Sequence, residues 1–318
     1  MDKKKVLVCG ASGFIGRNLF ERLSNRRDLE VYGTYLHNEA LNKIKPDPRL
    51  WRVDLTDRYH THVVTQGFDY IINTAAMTDG SGAIALNPAG YIADNIRINS
   101  NLIEAAYINQ IQHLVFLSCT VMYPSSNRPL KEEEYDLNKV HPKYFMGARM
   151  KVFSEDLCRF YAGLGKTKYT AARHTNIYGP YDKFDLKRGH VLAATIEKVM
   201  QAEKEITVWG TGIETRDFLY IDDLINFIEK TIERQKSNFE IFNVGCGKTY
   251  SVNELVEKIV SCSGKKVRIV HDLEKSSIET RMNIDIEKAQ GLLDWKSEIG
   301  LLEGLNKTVE WYISNRSR

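Results

Sequence analysis

Three glycines, Gly10, Gly13 and Gly16, stand between an apolar run and an amphipathic one. Val6-Leu7-Val8-Cys9 precedes them, and Phe14, Ile15, Leu19, Phe20 and Leu23 follow at helical spacing. The pattern predicts a buried strand, a glycine turn and a helix. Such a turn has a chemical use. One glycine permits the tight bend, one lets backbone approach a pyrophosphate, and one lets helix and strand pack closely. Bare amides at the helix N-terminus then hold the phosphates. The flanking strand and helix favour a dinucleotide site over a plain strand-to-helix turn.

Residues further along bear on which dinucleotide is held. In NAD-type sites an acidic residue about 20 residues beyond the glycines takes the ribose 2′-hydroxyl. That place falls on Tyr35, followed by Leu36, His37 and Asn38, with Glu39 only later in the loop. A carboxylate would repel a 2′-phosphate, and its absence permits one, so NADP(H) is expected over NAD. Arg17 and His37 are the candidates to pair with that phosphate; Arg17 reads equally as a solvated helix residue. Asp54 is a candidate adenine contact, or else a turn aspartate before Leu55-Thr56-Asp57.

These groups need a frame. Strand-like runs at 30–35, 51–55, 70–76, 113–118 and 169–173 alternate with helix-like runs at 96–107 and 151–161. Alternation of this kind predicts an α/β fold, a Rossmann-type doubly wound parallel sheet with both faces covered. After Gly179-Pro180 a polar loop (181–190) leads to a helix (191–203), a strand (206–209) and the turn Gly210-Thr211-Gly212. A dinucleotide-binding domain is expected at 1–178 plus about 215–245, and a smaller, discontinuous C-terminal substrate-binding domain at about 179–214 plus 246–318.

Composition narrows the function class. The chain has 318 residues, 43% of them hydrophobic, and no run approaches the ~18 apolar residues of a membrane span. Met1-Asp2-Lys3-Lys4-Lys5 enters a strand with no signal-peptide core, so a cytoplasmic protein is expected. Five cysteines without CxxC spacing argue against a disulfide framework or a zinc site, and no metal is expected. A net charge of +3 gives no reason to expect nucleic acid.

Six further motifs follow in order: Asn73-Thr-Ala-Ala76, Phe116 to Pro124, Lys151 to Glu155, Arg173 to Pro180, Arg216 to Asp223 and Phe242 to Gly245. With the glycine turn, they make the chain resemble an extended short-chain dehydrogenase/reductase acting on nucleotide sugars, over nearly its whole length. Asn176 to Phe184, His190-Val191-Leu192 and Val208 to Gly212 are most similar to the GDP-L-fucose synthase group. Those enzymes epimerise a GDP-4-keto-6-deoxy sugar at two carbons, then reduce its ketone with NADPH.

The resemblance implies cofactor contacts from Gly10, Ser12, Gly13, Phe14, Ile15, Gly16, Arg17, Tyr35, His37, Asp54, Leu55, Ala75, Ala76, Lys151 and His174. It also implies a catalytic set: a tyrosine that protonates the ketone oxygen, a lysine that lowers its pKa, and a Ser or Thr that holds the oxygen. A phenol is a poor acid–base catalyst near neutrality unless a cation stabilises phenolate. Tyr-x-x-x-Lys puts both on one helix face.

This chain departs from that pattern. Lys151 is in place, but four residues before it stands Gly147. The nearest upstream tyrosine is Tyr144, two helical turns before the lysine, and it is the expected donor. The alternatives are His141, His174 or water, with Tyr144 structural. The Ser/Thr position holds Cys119, a weak donor that also reads as a buried hydrophobe. Thr120 is expected to take over if the strand carries a bulge. The family's epimerisation base is a cysteine two residues before the equivalent of Tyr123, and here it is Val121, which cannot move a proton. The partner histidine has a match in His190, expected as a residual sugar contact or as a plain helix-start residue.

For substrate, Arg216 is the expected diphosphate ligand, since guanidinium binds phosphate bidentately; the bland alternative is an ion pair with Asp217 or Glu214. Asn176, Lys183, His190 and Val191 follow by family position, and Arg281 is a lesser phosphate candidate. Trp209 either faces the nucleotide base or is core. The expected activity is NADPH-dependent reduction of the C-4 ketone of a GDP-4-keto-6-deoxy hexose or heptose, in nucleotide-sugar biosynthesis for surface polysaccharide, without 3,5-epimerisation. The alternatives are a bifunctional epimerase-reductase, an NAD-dependent 4-epimerase and a non-catalytic NADP-binding regulator. Relatives imply a homodimer built on the helices at 96–107 and 151–161.

Overall fold

The computed structural model describes residues 3–37, 47–78, 91–275 and 280–316. The elements of its first half are β1 (Lys4–Cys9), α1 (Phe14–Ser24), β2 (Leu29–Tyr35), β3 (Leu50–Arg52), α2 (Arg58–Val64), β4 (Tyr70–Asn73), α3 (Ile92–Ile108), β5 (His113–Cys119), α4 (Phe145–Ala162) and β6 (Lys168–His174). Then come β7 (Asn176–Tyr178), α5 (Val191–Gln201), β8 (Glu205–Trp209), β9 (Thr215–Tyr220), α6 (Ile221–Arg234), β10 (Phe239–Val244), β11 (Thr249–Ser251), α7 (Val252–Ser263), β12 (Arg268–Asp272), α8 (Glu287–Leu293) and α9 (Leu301–Arg316).

The sequence of β1 explains its central place. Val6 and Val8 enter one core cluster, Leu7 and Cys9 another, and all four are fully buried. Successive strand side chains point to opposite faces, so this requires helices on both. Leu19 and Leu23 of α1 and Phe227 and Ile228 of α6 cover the first face. Leu102 and Ala106 of α3 and Cys158 of α4 cover the second. Each fully buried Leu, Ile or Phe contributes about 1.5–3 kcal/mol. Exposed ion pairs such as Arg58–Glu104 contribute about 0–1 kcal/mol, so apolar burial decides the layering.

The central sheet has seven strands in the order β10-β6-β5-β4-β1-β2-β3. All its pairs are parallel. The expected doubly wound fold is the one observed. Segment 215–245 divides: β9 pairs with β7 and β11, while β10 lies at the edge of the large sheet. β8 and β12 form a parallel pair. Leu192, Ile206, Leu255 and Leu305 of the C-terminal half share one cluster with Val6 and Val8.

Among the boundaries that differ from expectation, two have clear local reasons. The third strand ends at Arg52 rather than at 55. The Asp54 carboxylate accepts from the Thr56 amide at 2.9 Å and bends the chain toward α2. The helix expected at 151–161 begins at Phe145. A 3₁₀ turn, Pro142–Tyr144, runs straight into it, with His141 Nδ1 accepting from the Lys143 amide at 3.2 Å. Tyr144 therefore sits at the junction, and Gly147 lies within the helix.

Candidate active site

The glycine turn closes tightly against β4. Gly10 has a φ of +82°, and a Cβ there would stand 2.7 Å from Ala75 Cα. One on Gly16 would stand 2.6 Å from Thr74 Oγ1. Gly13 is nearly open and forms the N-cap of α1 with no capping side chain. The first-turn amides therefore lack side-chain acceptors, at the positive end of the helix dipole. That geometry fits a dinucleotide pyrophosphate. Ser12 is half-buried in the turn, and Phe14 and Ile15 lie against the core.

Arg17, a candidate for the ribose end, is engaged on its own helix in this structure. Its Nε donates to Glu21 at 3.0 Å, and its guanidinium stacks 3.7 Å from the Tyr181 ring centroid. Being on α1 one turn before Glu21, it pairs locally and ties that helix to loop 179–190. The cation near Tyr35 is instead Arg52, its partner across β2 and β3. Arg52 Nε donates to Leu36 O at 3.2 Å, and its side chain has no ion-pair partner among the described residues. Sequence reasoning missed Arg52, although pairing the ends of strands two and three would have found it. His37 is exposed close by in sequence, whereas Asn38 and Glu39 lie outside the described residues. Asp54 spends Oδ1 on the Thr56 hydroxyl and amide, and these bonds hold its carboxyl below the usual range. Leu55 is buried, with its carbonyl held by Asn101. The Ala75 amide is held by Asn73, and Ala76 is exposed. A cavity of about 690 Å³ opens at this sheet edge, lined by Leu36, Arg52, Asp54 and His60 among others.

The C-terminal end of β5 carries the reactive groups. Lys151 Nζ donates to Leu117 O at 2.7 Å and lies 4.8 Å from the Phe116 ring centroid. Burial lowers its pKa, opposed by the nearby Cys119 and Glu155. Cys119 pairs with His174 across β5 and β6 without any bulge. Thr120 therefore does not slide into the Ser/Thr position; it lies just beyond the strand, buried, its carbonyl accepting from the Tyr123 amide. Burial pushes the Cys119 thiol up, opposed by the nearby Lys151 and by the Val121 amide. His174 Nδ1 faces the Thr175 carbonyl at 2.8 Å and must donate to it. Burial pushes His174 down to about 4, with Lys151 and His190 also opposing its charge. Ser118, which flanks Cys119, is not available. Its hydroxyl donates at 2.6 Å to Glu155, which pairs with buried Arg173 at 2.6 Å.

Tyr144 is not in contact with Lys151. Its ring faces His141 at 6.0 Å, and its hydroxyl has no hydrogen-bond partner among the described residues. Seven residues place the two about 10 Å apart along the helix axis. Between them Gly147 leaves space: a Cβ there would meet nothing within 4 Å. Val121 is half-buried against an apolar cluster containing Met122, Tyr123 and Val152.

The small sheet presents the substrate candidates. Arg216 forms no ion pair with Asp217 or Glu214. Asp217 instead accepts from the Cys246 and Gly247 amides and from Thr175. Arg216 Nε is buried without a partner. Asn176 Nδ2 donates to Asp217 O at 3.0 Å, tying β7 to β9. Lys183 is exposed on the loop, its Nζ 3.3 Å from Thr78 O. His190 is the exposed N-cap of α5, followed by half-buried Val191. Trp209 is 54% exposed, not core. Lys275 and Lys198 lie 5.1 and 5.8 Å from its ring centroid. Arg281 is diverted to Asn127 Oδ1 at 2.7 Å.

The family model for the NAD dependent epimerase/dehydratase family matches residues 6–245. This chain belongs to that family. The epimerase/dehydratase chain is 29% identical over 331 residues to GDP-L-fucose synthase of Escherichia coli, covering 100% of this chain and 99% of that relative. It is 30% identical to GDP-mannose 3,5-epimerase of Arabidopsis thaliana, covering 98% and 82%. Among solved structures, a GDP-6-OMe-4-keto-L-xylo-heptose reductase from C. jejuni superposes with a TM-score of 0.84 at 22% identity, covering 98% of each chain. That likeness speaks for the fold.

Within this epimerase/dehydratase fold, Lys151, Cys119, His174 and His190 are brought together, whereas Arg17 and Arg281 are drawn elsewhere. No described group of His, Cys, Asp or Glu could hold a metal ion, and no described helix is long and apolar enough to cross a membrane. The burial of two carboxylates escaped sequence reasoning, that of Asp182 and that of Glu214, which was named only as an ion-pair alternative for Arg216; each has one oxygen lacking a partner. Periodicity gave no sign of their burial, because both lie in connecting segments outside the helices and strands.

Proposed function

We propose that this protein reduces the C-4 ketone of a GDP-linked 4-keto-6-deoxy sugar, hexose or heptose, using NADPH. The observation that carries this is Lys151, a half-buried cation held at the end of β5 beside Cys119 and His174. The GDP-sugar names of its relatives support the substrate class. When bound, the nicotinamide supplies the hydride that goes to C-4. Lys151 orients the nicotinamide ribose and offers positive charge to the developing alkoxide. The Cys119 thiol donates a hydrogen bond to the ketone oxygen. Tyr144, at the junction that leads into the helix of Lys151, delivers the proton. Arg216, Lys183 and Trp209 hold the nucleotide diphosphate and base, with Asn176 and His190 on the sugar. His37 and Arg52 favour the 2′-phosphate of NADPH, and Tyr35 sets no carboxylate against it.

Val121 supports reduction without epimerisation, since a valine in that place cannot carry protons to or from C-3 and C-5. A cytoplasmic homodimer serving surface-polysaccharide synthesis is the setting we infer, with the dinucleotide held by 1–178 and about 215–245 and the sugar nucleotide by the remainder. The test is NADPH oxidation with freshly made GDP-4-keto-6-deoxy-mannose in deuterated water, followed by NMR of the product. Turnover without deuterium at C-3 or C-5 is expected. Deuterium at both carbons would favour the bifunctional enzyme, with His190 and Cys119 as the groups to examine. Failure to bind NADPH would end the reductase assignment.

A further inference from the structure

We infer that Glu214 holds the ribose hydroxyls of the nucleotide whose diphosphate Arg216 binds. Glu214 is 6% exposed, yet its Oε2 has no hydrogen-bond partner. Arg216 Nε is buried and equally unpartnered. Neither side chain pairs with the other or with any described residue. Leaving a buried polar atom unsatisfied costs about 1–3 kcal/mol, more when the group is charged, so two such atoms together mark a place where a ligand completes the bonding.

The chain fixes their relation. Thr215 to Tyr220 is strand β9, and Glu214 immediately precedes it, its carbonyl held by the Val252 amide at 3.1 Å. Residues two apart along an extended chain face the same side, about 6–7 Å apart. Glu214 and Arg216 therefore point to one side of the small sheet, the side of Tyr250, which pairs with Arg216 across β11. The other parity, Asp217, is spent on the Cys246 and Gly247 amides.

Donor and acceptor chemistry then identifies the ligand group. An ionised carboxylate only accepts, and a guanidinium only donates. The ligand must offer anionic oxygens to Arg216 and, a few bonds away, hydroxyl or N–H donors to Glu214. A ribose 5′-diphosphate has this order, phosphate oxygens followed by a vicinal 2′,3′-diol. Carboxylates take ribose hydroxyls in the same manner in dinucleotide sites. Glu214 is thus a specificity residue that tells a ribonucleotide from a deoxyribonucleotide and from free pyrophosphate.

That assignment depends on the nucleotide-sugar substrate proposed above, and calorimetric titration separates the two. The probes are GDP, 2′-deoxy-GDP, 3′-deoxy-GDP, UDP and inorganic pyrophosphate, against the wild type, Glu214→Ala and Glu214→Gln. In the wild type at least one deoxy nucleotide is expected to bind about tenfold weaker than GDP, as for loss of one charge-assisted bond. Glu214→Ala should erase that gap and leave pyrophosphate binding equal or tighter, because a negative charge beside Arg216 is gone. Glu214→Gln should keep part of the gap. Equal binding of GDP and both deoxy forms to the wild type would overturn the inference while leaving the substrate class standing. So would a Glu214→Ala variant that loses pyrophosphate and GDP in parallel, since Glu214 would then only position Arg216. A change in the GDP-to-UDP ratio with the deoxy gap intact would mean that Glu214 reads the base, and would overturn it too. Failure of the wild type to bind GDP at all would instead remove the nucleotide-sugar assignment.

Discussion

Lys151 of α4 reaches the carbonyl of Leu117 on β5, Nζ to O at 2.7 Å. The bond fixes a cation at the C-terminal end of a central strand, where open α/β sheets bind their ligands. Replacing it with methionine keeps the stem and removes the charge. Lys151→Met is expected to lower kcat by about 100-fold or more, with little loss of fold. Steady-state NADPH oxidation together with circular dichroism checks both parts, and near-normal kcat would remove Lys151 from the chemistry.

Tyr144 and Gly147 make a paired prediction. If Tyr144 is the donor, Tyr144→Phe should lower kcat by about 100-fold and flatten the basic limb of the pH–rate profile. The open space at Gly147 should then accept a new phenol one turn from Lys151. Gly147→Tyr in the Tyr144→Phe background is expected to recover part of the rate. A Tyr144→Phe enzyme with unchanged kcat and pH profile would assign the proton to water or His174.

Asp182 should make stability fall as pH rises. Burial raises its carboxyl to about 7, from an ordinary value of 3.8, and its Oδ2 is unpartnered. A raised acid binds its proton more tightly when folded, so this contribution is full below pH 3.8 and is lost as pH climbs through about 7. Asp182→Asn is therefore expected to stabilise the protein at pH 8, on the order of 1–3 kcal/mol, and to do little at pH 4. Urea midpoints at the two pH values decide it; an equal shift at both would refute the linkage.

His174 acts in the opposite sense. Its pKa is depressed from 6.5 to about 4 because the ring is buried. A histidine buried neutral gives up stability as pH falls from 6.5 toward 4, where the unfolded chain takes a proton that the folded one refuses. His174→Gln should flatten that acid limb. His113, pushed down to about 3, supplies a second such slope and remains in the variant, so the limb shallows without vanishing.

Arg173 and Glu155 are almost wholly buried and joined at 2.6 Å, with Ser118 and Tyr123 completing the network. Glu155→Gln should destabilise by about 3–5 kcal/mol, since it strands a buried guanidinium. Thermal unfolding measures it, and a loss under about 1 kcal/mol would show the pair to be dispensable.

What was legible in the sequence follows the physics of each signal. Val6 to Cys9 announced a two-faced strand because burial on both sides leaves no polar residue, and Gly10 to Gly16 announced the turn because close approach admits no side chain. Side-chain partnerships were not legible in the same way. Whether Arg17 turns to a phosphate or to Glu21 and Tyr181 depends on a loop more than 160 residues away. The same holds for Arg281, captured by Asn127, and for Asp54, whose turn shortened a strand. Cys119 kept its position because β5 pairs with β6 without interruption, a register no local spacing reveals. The burial of Glu214 and Asp182 was not legible, since a carboxylate in a connecting segment normally means solvent.

The cluster that starts with Val6 and Val8 under the central sheet runs on through Ile206, Leu255 and Val309 without a break. Its two halves are therefore not interchangeable parts. A chimaera that imported a relative's sugar-handling segment to change specificity would graft one side of a fitted interior onto another, and steric mismatch rather than recognition would decide its fate. New substrate preferences in this scaffold are better sought by exchanging single groups at the rim, at Val121, Gly147 or Glu214, than by recombination.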